Sequence, residues 1–217
     1  MSLTLYLGTK NYSSWSLRPW LAAKHAGIHF KEVIIDFDQP DTTSRIYAIS
    51  PSGKVPVLVD VDVKIWDSLA ICEYLAEIAP HLWPSDQYSR AIARSISAEM
   101  HSGFVALRNE MPMNVRAKQR ALVLSDAAQH DLVRIDQIWT DLRQQYQLQG
   151  PWLFGKFTIA DAMFAPVVIR LNAYAVNLTP SMRAYMETFY NDSAFLEWIK
   201  DAEQDTLIVP RLECGQV

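Results

Sequence analysis

Residues 53–68 constrain the fold of this chain more than any other segment, because they read as an X-Pro turn, a strand, a tight turn, a second strand and a helix cap. An X-Pro bond is the only common place for a cis peptide, so Val55-Pro56 could turn its backbone N–H and C=O outward to pair with an extended peptide. Asp67-Ser68 precedes an apolar helical run and places a hydroxyl at a helix N-terminus, where anions bind. The segment predicts a groove that holds a short peptide by its backbone and its carboxylate. The alternative is a tight turn followed by a capped helix.

The composition allows a substantial core and argues against several functions. The chain has 217 residues, of which 50% are hydrophobic and 20% charged, enough for one large domain or two small ones. A net charge of −4 without a basic block argues against nucleic acid as a partner. The apolar runs are too short to cross a bilayer, and the N-terminus lacks the pattern of a signal peptide. Two cysteines, Cys72 and Cys214, provide neither a disulfide framework nor a metal site, so we expect a cytoplasmic protein without a metal.

The pattern of the chain changes near residue 80. Before it, strands and helices alternate, which predicts a mixed four-stranded sheet with helices packed on it over residues 1–80, with strands at 3–7, 30–35, 57–59 and 63–66 and helices at 17–26, 42–49 and 68–78. A linker with Pro80 and Pro84 follows. Residues 87–217 then show helical spacing only, at 92–111, 122–146, 158–171, 180–190 and 194–201. The predicted fold is α/β plus all-α.

The first strand is joined to the first helix by a loop that is rich in hydroxyls. Ser13, Ser14 and Ser16 crowd a helix N-terminus, whose partial positive charge favours an anion. Proline is harmless only in the first turn of a helix, so Pro19 predicts that Ser16 is the N-cap. Ser13 and Ser14 would then be free to face a ligand. The alternative is a serine-rich loop with redundant caps.

A second helix start, Thr158-Ile-Ala-Asp161, has the spacing of a capping box. The threonine satisfies free N–H groups of the first turn, and the aspartate reaches back to the start of the helix. We assign Asp161 a structural role and no catalytic one.

These pieces, in this order and at these distances, resemble the cytosolic glutathione transferase superfamily over nearly the whole chain. Val55-Pro56 matches the cis-proline step of the family, Asp67-Ser68 its acidic-Ser pair, and Thr158–Asp161 its capping box. The segment Ser13-Ser-Trp-Ser-Leu-Arg18 is similar to bacterial-type members of the serine classes, above all to the zeta loop. The resemblance implies a thioredoxin-like N-terminal domain and an all-helical C-terminal domain for substrate binding and dimerisation.

The resemblance also implies an activity, namely conjugation of glutathione, the co-substrate, to small hydrophobic or carbonyl-bearing electrophiles. We therefore expect a cytoplasmic, homodimeric detoxification enzyme with no metal and no membrane or nucleic-acid partner. The thiolate needs a hydrogen-bond donor and no general base, and the candidates are Ser14 or Ser13, with Asn11 third. A loop cysteine, which would allow thiol-disulfide exchange, is absent.

The remaining contacts follow from the family's motifs. Val55 would pair by its backbone with the cysteinyl part of glutathione beside Pro56, while Asp67 and Ser68 would hold the γ-glutamyl end. Lys54 could reach the glycyl carboxylate or be a solvated surface lysine. The electrophile pocket would lie between the domains, with candidates on the first long helix of the second domain, namely His101, Phe104 and Arg108.

Three other functions stay open beside conjugation, and one of them is that of a glutathione-linked dehalogenase. Zeta enzymes isomerise maleylacetoacetate and carry an arginine that is thought to hold a substrate carboxylate. At that position this chain has Ala173, with Arg170 three residues earlier. The fold also serves as a non-catalytic binding module.

Overall fold

The computed structural model describes residues 3–216, and a mixed four-stranded sheet forms their first part. The strands β1 (Leu3–Gly8), β2 (Phe30–Ile35), β3 (Val57–Asp60) and β4 (Val63–Trp66) have the order β2-β1-β3-β4. β1 pairs parallel with β2 and antiparallel with β3, which in turn pairs antiparallel with β4. The helices of this part are α1 (Ser14–His25), α2 (Thr42–Ile49) and α3 (Ser68–Ile78). The predicted sheet with packed helices is confirmed.

Alternation along β1 explains how this sheet is covered. Leu3, Leu5 and Leu7 point to one face and are buried, and the residues between them are less so. α1 is the crossover between the parallel strands β1 and β2, and it packs against α3. The hairpin between β3 and β4 turns at Val61, which has a left-handed φ of 53°.

The start of α1 differs from the prediction. Ser13, not Ser16, is the N-cap residue, and the helix begins at Ser14. The backbone N–H of Ser13 donates to the carbonyl of Thr9, which closes a turn and brings the chain into the helix one turn early. The hydroxyl of Ser16 instead accepts a hydrogen bond from the Gly8 N–H at 3.0 Å. Pro19 consequently lies inside the helix rather than in its first turn.

The second part is helical, as predicted. Its helices are α4 (Gln87–Ser102), α5 (Val105–Glu110), α6 (Asp126–Tyr146), α7 (Ile159–Ala173), α8 (Pro180–Tyr190) and α9 (Ser193–Gln204). α7 is buried almost all round and forms the centre of this part. α1 packs against both α7 and α9, so the first helix of the chain joins the two parts. The division at residues 1–80 and 87–217 stays a prediction.

One predicted helix is interrupted. The apolar spacing of residues 92–111 predicts a single helix ending near Pro112, but α4 ends at Ser102 and α5 begins at Val105. Phe104 between them adopts a left-handed φ of 53°, which redirects the chain. The apolar residues stay in register across the break, since Met100, Phe104 and Leu107 are all buried. Periodicity alone therefore does not reveal it.

The capping box at the start of α7 is present as predicted. Asp161 accepts hydrogen bonds from the Thr158 N–H at 2.9 Å and the Leu153 N–H at 3.0 Å, and from the Tyr185 hydroxyl at 2.7 Å. Its side chain is fully buried. Among residues 3–216, none of the helices combines the length and the apolarity that crossing a membrane requires.

Candidate active site

Two clefts, each of about 440 Å³, meet at Trp15 and Val55, which line both. The first, which we call the proline groove, is lined chiefly by the turn before β3 and the start of α3, with Lys54, Val55, Pro56, Asp67, Ser68 and His101. The second, the arginine cleft, lies between the catalytic-loop candidates and the helical part, with Ser13, Ser14, Trp15, Arg108, Arg170 and Arg211. The five residues predicted to bind glutathione therefore line one continuous groove.

The proline groove offers an unpaired stretch of backbone. The Val55-Pro56 bond is cis. Within the described residues, the N–H and C=O of Val55 have no hydrogen-bond partner. The Ser50 hydroxyl accepts from the Lys54 N–H at 3.2 Å and donates to the Lys54 carbonyl at 2.6 Å, which fixes the approach to Val55. This edge can pair with an extended peptide.

The other end of the groove is the N-terminus of α3. Asp67 has a left-handed φ of 74°, and its Oδ1 accepts from the N–H groups of Leu69 and Ala70 at 2.9 and 3.2 Å. Ser68 is 1% exposed, and its hydroxyl is without a partner among residues 3–216. A buried, unpaired hydroxyl beside a helix N-terminus fits a carboxylate ligand.

Ser13 and Ser14, the N-cap and the first residue of α1, differ in what they contact. The Ser13 hydroxyl donates to the Ser16 hydroxyl at 2.7 Å. The Ser14 hydroxyl makes no hydrogen bond within the described part of the chain, and Ser14 lines the arginine cleft at the first turn of α1. Ser14 is therefore the serine whose proton is available to a ligand.

The third candidate donor is committed to other contacts. Asn11 is fully buried; its Nδ2 donates to the Oδ1 of Asn114 at 3.1 Å, and its Oδ1 accepts from the Arg116 N–H at 3.0 Å. It lines neither cleft. These contacts give Asn11 the role of joining the loop to the helical part.

A buried guanidinium lies beneath Trp15. Arg18 is fully buried one turn after Ser14, and its Cζ lies 4.2 Å from the centroid of the Trp15 ring. Its three guanidinium nitrogens have no hydrogen-bond partner among residues 3–216. Burial and the charges of Arg170 and Arg108 lower the pKa of Arg18 to about 9. This side chain favours any anion that comes close to it.

Two further arginines increase this positive charge. Arg170 is 3% exposed, its Nε donates to the Met111 carbonyl at 2.7 Å, and burial together with Arg108 lowers its pKa to about 10. Arg108 donates to the His101 carbonyl at 3.0 Å and lies 5.3 Å from the Trp15 ring. No aspartate or glutamate of the described chain lines the arginine cleft. The cleft therefore carries an excess of positive charge.

The predicted electrophile residues are separated by the structure. Arg108 lines the arginine cleft, whereas His101 lines the proline groove, 3.1 Å from the carboxylate of Asp67. Burial lowers the pKa of His101, with further lowering by Arg18 and Arg108 against the opposing effect of Asp67. Phe104 is 7% exposed, belongs to the hydrophobic core and lines neither cleft.

Sequence reasoning did not single out several lining residues. Trp15 lies between Ser14 and Ser16, and its place among these candidate residues was a signal that it lines the site. Arg211 and Leu212 follow the last helix in a segment without periodicity, and no pattern in the sequence points to them.

Comparison with known proteins agrees with this geometry. The family model for the N-terminal domain of glutathione S-transferase matches residues 12–78, and that for the C-terminal domain matches residues 125–188. A Caenorhabditis elegans protein named "Probable maleylacetoacetate isomerase" is 31% identical over 207 residues, which cover 93% of this chain and 95% of the relative. The chain belongs to the glutathione S-transferase superfamily.

Other members of the superfamily extend the comparison. "Glutathione S-transferase Z2" of Arabidopsis thaliana is 25% identical over 214 residues, covering 91% of this chain and 93% of the plant protein. A glutathione transferase homologue from Burkholderia, solved with bound glutathione, is 25% identical with a TM-score of 0.72 and covers 94% of this chain and 100% of that structure. The predicted superfamily and thioredoxin-like fold are confirmed, and the predicted glutathione transferase function is supported at the level of the family.

Proposed function

We propose that this glutathione S-transferase adds the thiolate of glutathione to small electrophiles, with Ser14 as the thiol's hydrogen-bond donor. The observation that carries the proposal is the unpaired hydroxyl of Ser14, a residue that lines the arginine cleft, and this cleft shares Trp15 and Val55 with the proline groove. A tripeptide lying along Val55 would bring its central side chain to this junction.

The proline groove supports binding of the three parts of glutathione. The N–H and C=O of Val55 would pair with the cysteinyl backbone. The hydroxyl of Ser68 and the N-terminus of α3 would hold the γ-glutamyl carboxylate, and Asp67 would attract the γ-glutamyl amine. Lys54 is exposed at the rim and can approach the glycyl carboxylate.

Catalysis requires that the thiol ionise near neutral pH. An unperturbed thiol has a pKa near ~8.5, and lowering it by about two units takes roughly 2.7 kcal/mol of preferential stabilisation of the anion. A hydrogen bond from Ser14, the N-terminus of α1 and the charge of Arg18 all act in this direction. Ser13 is the weaker candidate because its proton already binds Ser16. Holding both reactants in adjoining clefts adds a proximity effect.

The charge of the arginine cleft supports an electrophile that carries a carbonyl or an anionic group. Arg108 and Arg170 line the same cleft as Ser14, and their positive charge would stabilise negative charge that develops on the acceptor. A purely apolar electrophile would leave these guanidinium groups without a counter-charge in the cleft.

The same observation favours a second candidate function, glutathione-dependent cis-trans isomerisation. The thiolate would add to a conjugated double bond, which becomes a single bond while the electrons move to the carbonyl oxygen. Rotation and expulsion of the thiolate would then restore the double bond in the trans form. Arg170 would hold a substrate carboxylate in place of the arginine that zeta enzymes carry at position 173. The similarity to proteins named maleylacetoacetate isomerase supports this alternative.

Apolar side chains on β4 and α4 support a homodimer. Trp66 and Val63 on β4 and Tyr88 and Ile92 on α4 are exposed, and the last two lie one turn apart on the same helix face. We expect Ile92→Asp to reduce the solution mass to that of a monomer in light scattering. Val133→Asp, at an exposed apolar position on α6, is the control. Cytoplasmic location and a role in detoxification remain predictions.

The decisive experiment compares Ser14→Ala with Ser13→Ala. With chlorodinitrobenzene as acceptor, we expect kcat/KM to fall about 100-fold in Ser14→Ala and less than about fivefold in Ser13→Ala, since only the first removes the donor. Ultraviolet absorbance of the bound thiolate against pH gives the thiol's ionisation directly. Activity unchanged in both variants would refute the serine mechanism. Wild-type protein that binds glutathione but transfers it to no acceptor, and does not isomerise a maleyl compound, would identify a binding module.

A further inference from the structure

The chain after α9 returns to the loop that carries Ser13 and Ser14. We call residues 205–216 the tail segment. The Arg116 guanidinium donates to the carbonyls of Asp205 and Leu207, and the Val209 N–H donates to the Tyr12 hydroxyl at 3.3 Å. The segment is therefore fixed against the residue that precedes Ser13.

Glu213 is the centre of these contacts. Its Oε1 accepts from the Tyr12 hydroxyl at 2.5 Å and from the Nδ2 of Asn114 at 2.9 Å, and its Oε2 accepts from an Arg120 nitrogen at 2.5 Å. Burial alone would raise the pKa of the Glu213 carboxyl, but the donors Tyr12 and Arg120 outweigh it, and the pKa lies below its usual value. The contact is thus a charge-assisted one at neutral pH.

The same contacts hold residues 11–14, which we call the catalytic loop, at both Asn11 and Tyr12. Asn114, which donates to Glu213, also accepts from the side chain of Asn11. Asn11 and Tyr12 are consecutive, and Ser13 and Ser14 follow them directly. The position of both serines therefore depends on a network that ends in the tail segment.

The tail segment also borders the arginine cleft. Arg211 and Leu212 line it together with Ser13 and Ser14, and the Arg211 guanidinium lies 3.2 Å from the carboxylate of Asp38, in the connection between β2 and α2. The segment thus borders the cleft and is held there by two attachments, Glu213 to Tyr12 and Arg211 to Asp38.

We propose that Glu213 is a positioning residue for the catalytic loop, and that the tail segment forms the outer wall of the arginine cleft. The inference rests on the proposed function, because it assigns Glu213 its effect through the Ser14 donor. On this inference, the reaction with the electrophile depends on the tail segment. Binding of glutathione does not, because the proline groove contains no residue of the tail segment.

The test compares Glu213→Gln with Glu203→Gln, a carboxylate near the end of α9 that pairs with Lys118 at 3.7 Å, with both side chains exposed. We expect three results for Glu213→Gln. The kcat should fall about tenfold, the bound thiol should ionise at a higher pH, and the KM for glutathione should stay within about twofold of wild type. Trypsin should cleave after Arg211 sooner, because the segment is released. Glu203→Gln should match wild type in every measurement.

A second variant separates positioning from stability. Tyr12→Phe keeps the ring and removes the hydroxyl, so it should reproduce the shift in the ionisation of the bound thiol. The double variant with Glu213→Gln should show a shift little larger than that of either single variant. A purely structural role would lower the melting temperature of both variants while their ionisation profiles and kcat, measured well below melting, stay at wild-type values; that result overturns the inference. Wild-type protein without thiol ionisation or turnover would refute the proposed function instead, and with it the positioning role.

Discussion

The Asp67 carboxylate lies 3.1 Å from the Nε2 of His101, and this contact links the N-terminus of α3 to the last turn of α4. One oxygen of Asp67 caps α3 while the other faces the imidazole. The contact therefore spans the two parts of the chain at the γ-glutamyl end of the proposed glutathione groove.

His101 should make stability depend on pH. Its pKa in the folded protein lies below the ordinary 6.5, so between these two values the unfolded chain binds a proton that the folded protein does not. The free energy of unfolding should therefore fall as pH drops below about 6.5. His101→Gln should make this slope shallower in urea titrations at neutral and mildly acidic pH. An identical slope in variant and wild type would assign the dependence to other groups.

Arg18 should stabilise the thiolate at a cost in protein stability. A buried guanidinium without a partner is unfavourable for folding, so Arg18→Met should leave the free energy of unfolding unchanged or higher. The same change removes positive charge near Ser14 and should raise the pKa of the bound thiol by about one unit. Thermal unfolding and thiolate absorbance measure the two effects. Arg183→Met, at an exposed position of α8, should change neither, and a strong loss of stability in Arg18→Met would contradict the prediction.

Asp161 should stabilise the start of α7. Replacement by alanine leaves the buried N–H groups of Thr158 and Leu153 without acceptors, which should lower the free energy of unfolding by about 3 kcal/mol. Asp126→Ala, at an exposed position in the first turn of α6, should cost less than about 1 kcal/mol. Chemical denaturation of both variants measures the difference. Equal losses would show that burial of the capping box adds nothing.

The two cysteines should differ in reactivity. Cys72 is fully buried in α3, and burial raises the pKa of its thiol well above the ordinary range, whereas Cys214 is partly exposed. We expect a chromogenic disulfide reagent to titrate one thiol in the folded protein and two after denaturation. The Cys214→Ser variant should show none until it unfolds. Rapid reaction of that variant in buffer would mean that α3 opens readily.

The sequence predicted those elements whose boundaries are set by local chemistry. β2, α2, β4 and α3 begin and end at the predicted residues, because Asp67 caps α3, Pro80 follows it, and short turns bound the strands. Ser16 was the wrong N-cap because a hydrogen bond from Gly8, on the preceding strand, holds its hydroxyl. A single serine-rich sequence cannot show which hydroxyl is taken by another element.

The sequence predicted most of the proline groove, but only Ser13, Ser14 and Arg108 among the residues that line the arginine cleft alone. Lys54, Val55, Asp67 and Ser68 lie within fifteen residues of sequence, so local motifs bring them together. The arginine cleft instead combines α1, α5, α7 and the tail segment, and the packing that unites them leaves no trace in spacing. Phe104 shows the same limit of spacing arguments. It keeps the helical spacing of its apolar neighbours although the helix is interrupted there.

The contact between Tyr12 and Glu213 joins residues 201 positions apart. During synthesis the sheet and its helices can form as soon as they leave the ribosome, since N-terminal domains generally fold first. The loop before α1 then has to wait for the arrival of Glu213 before it is held in place. On the proposed function, a nascent chain could therefore bind glutathione well before it can catalyse the transfer of glutathione to an electrophile.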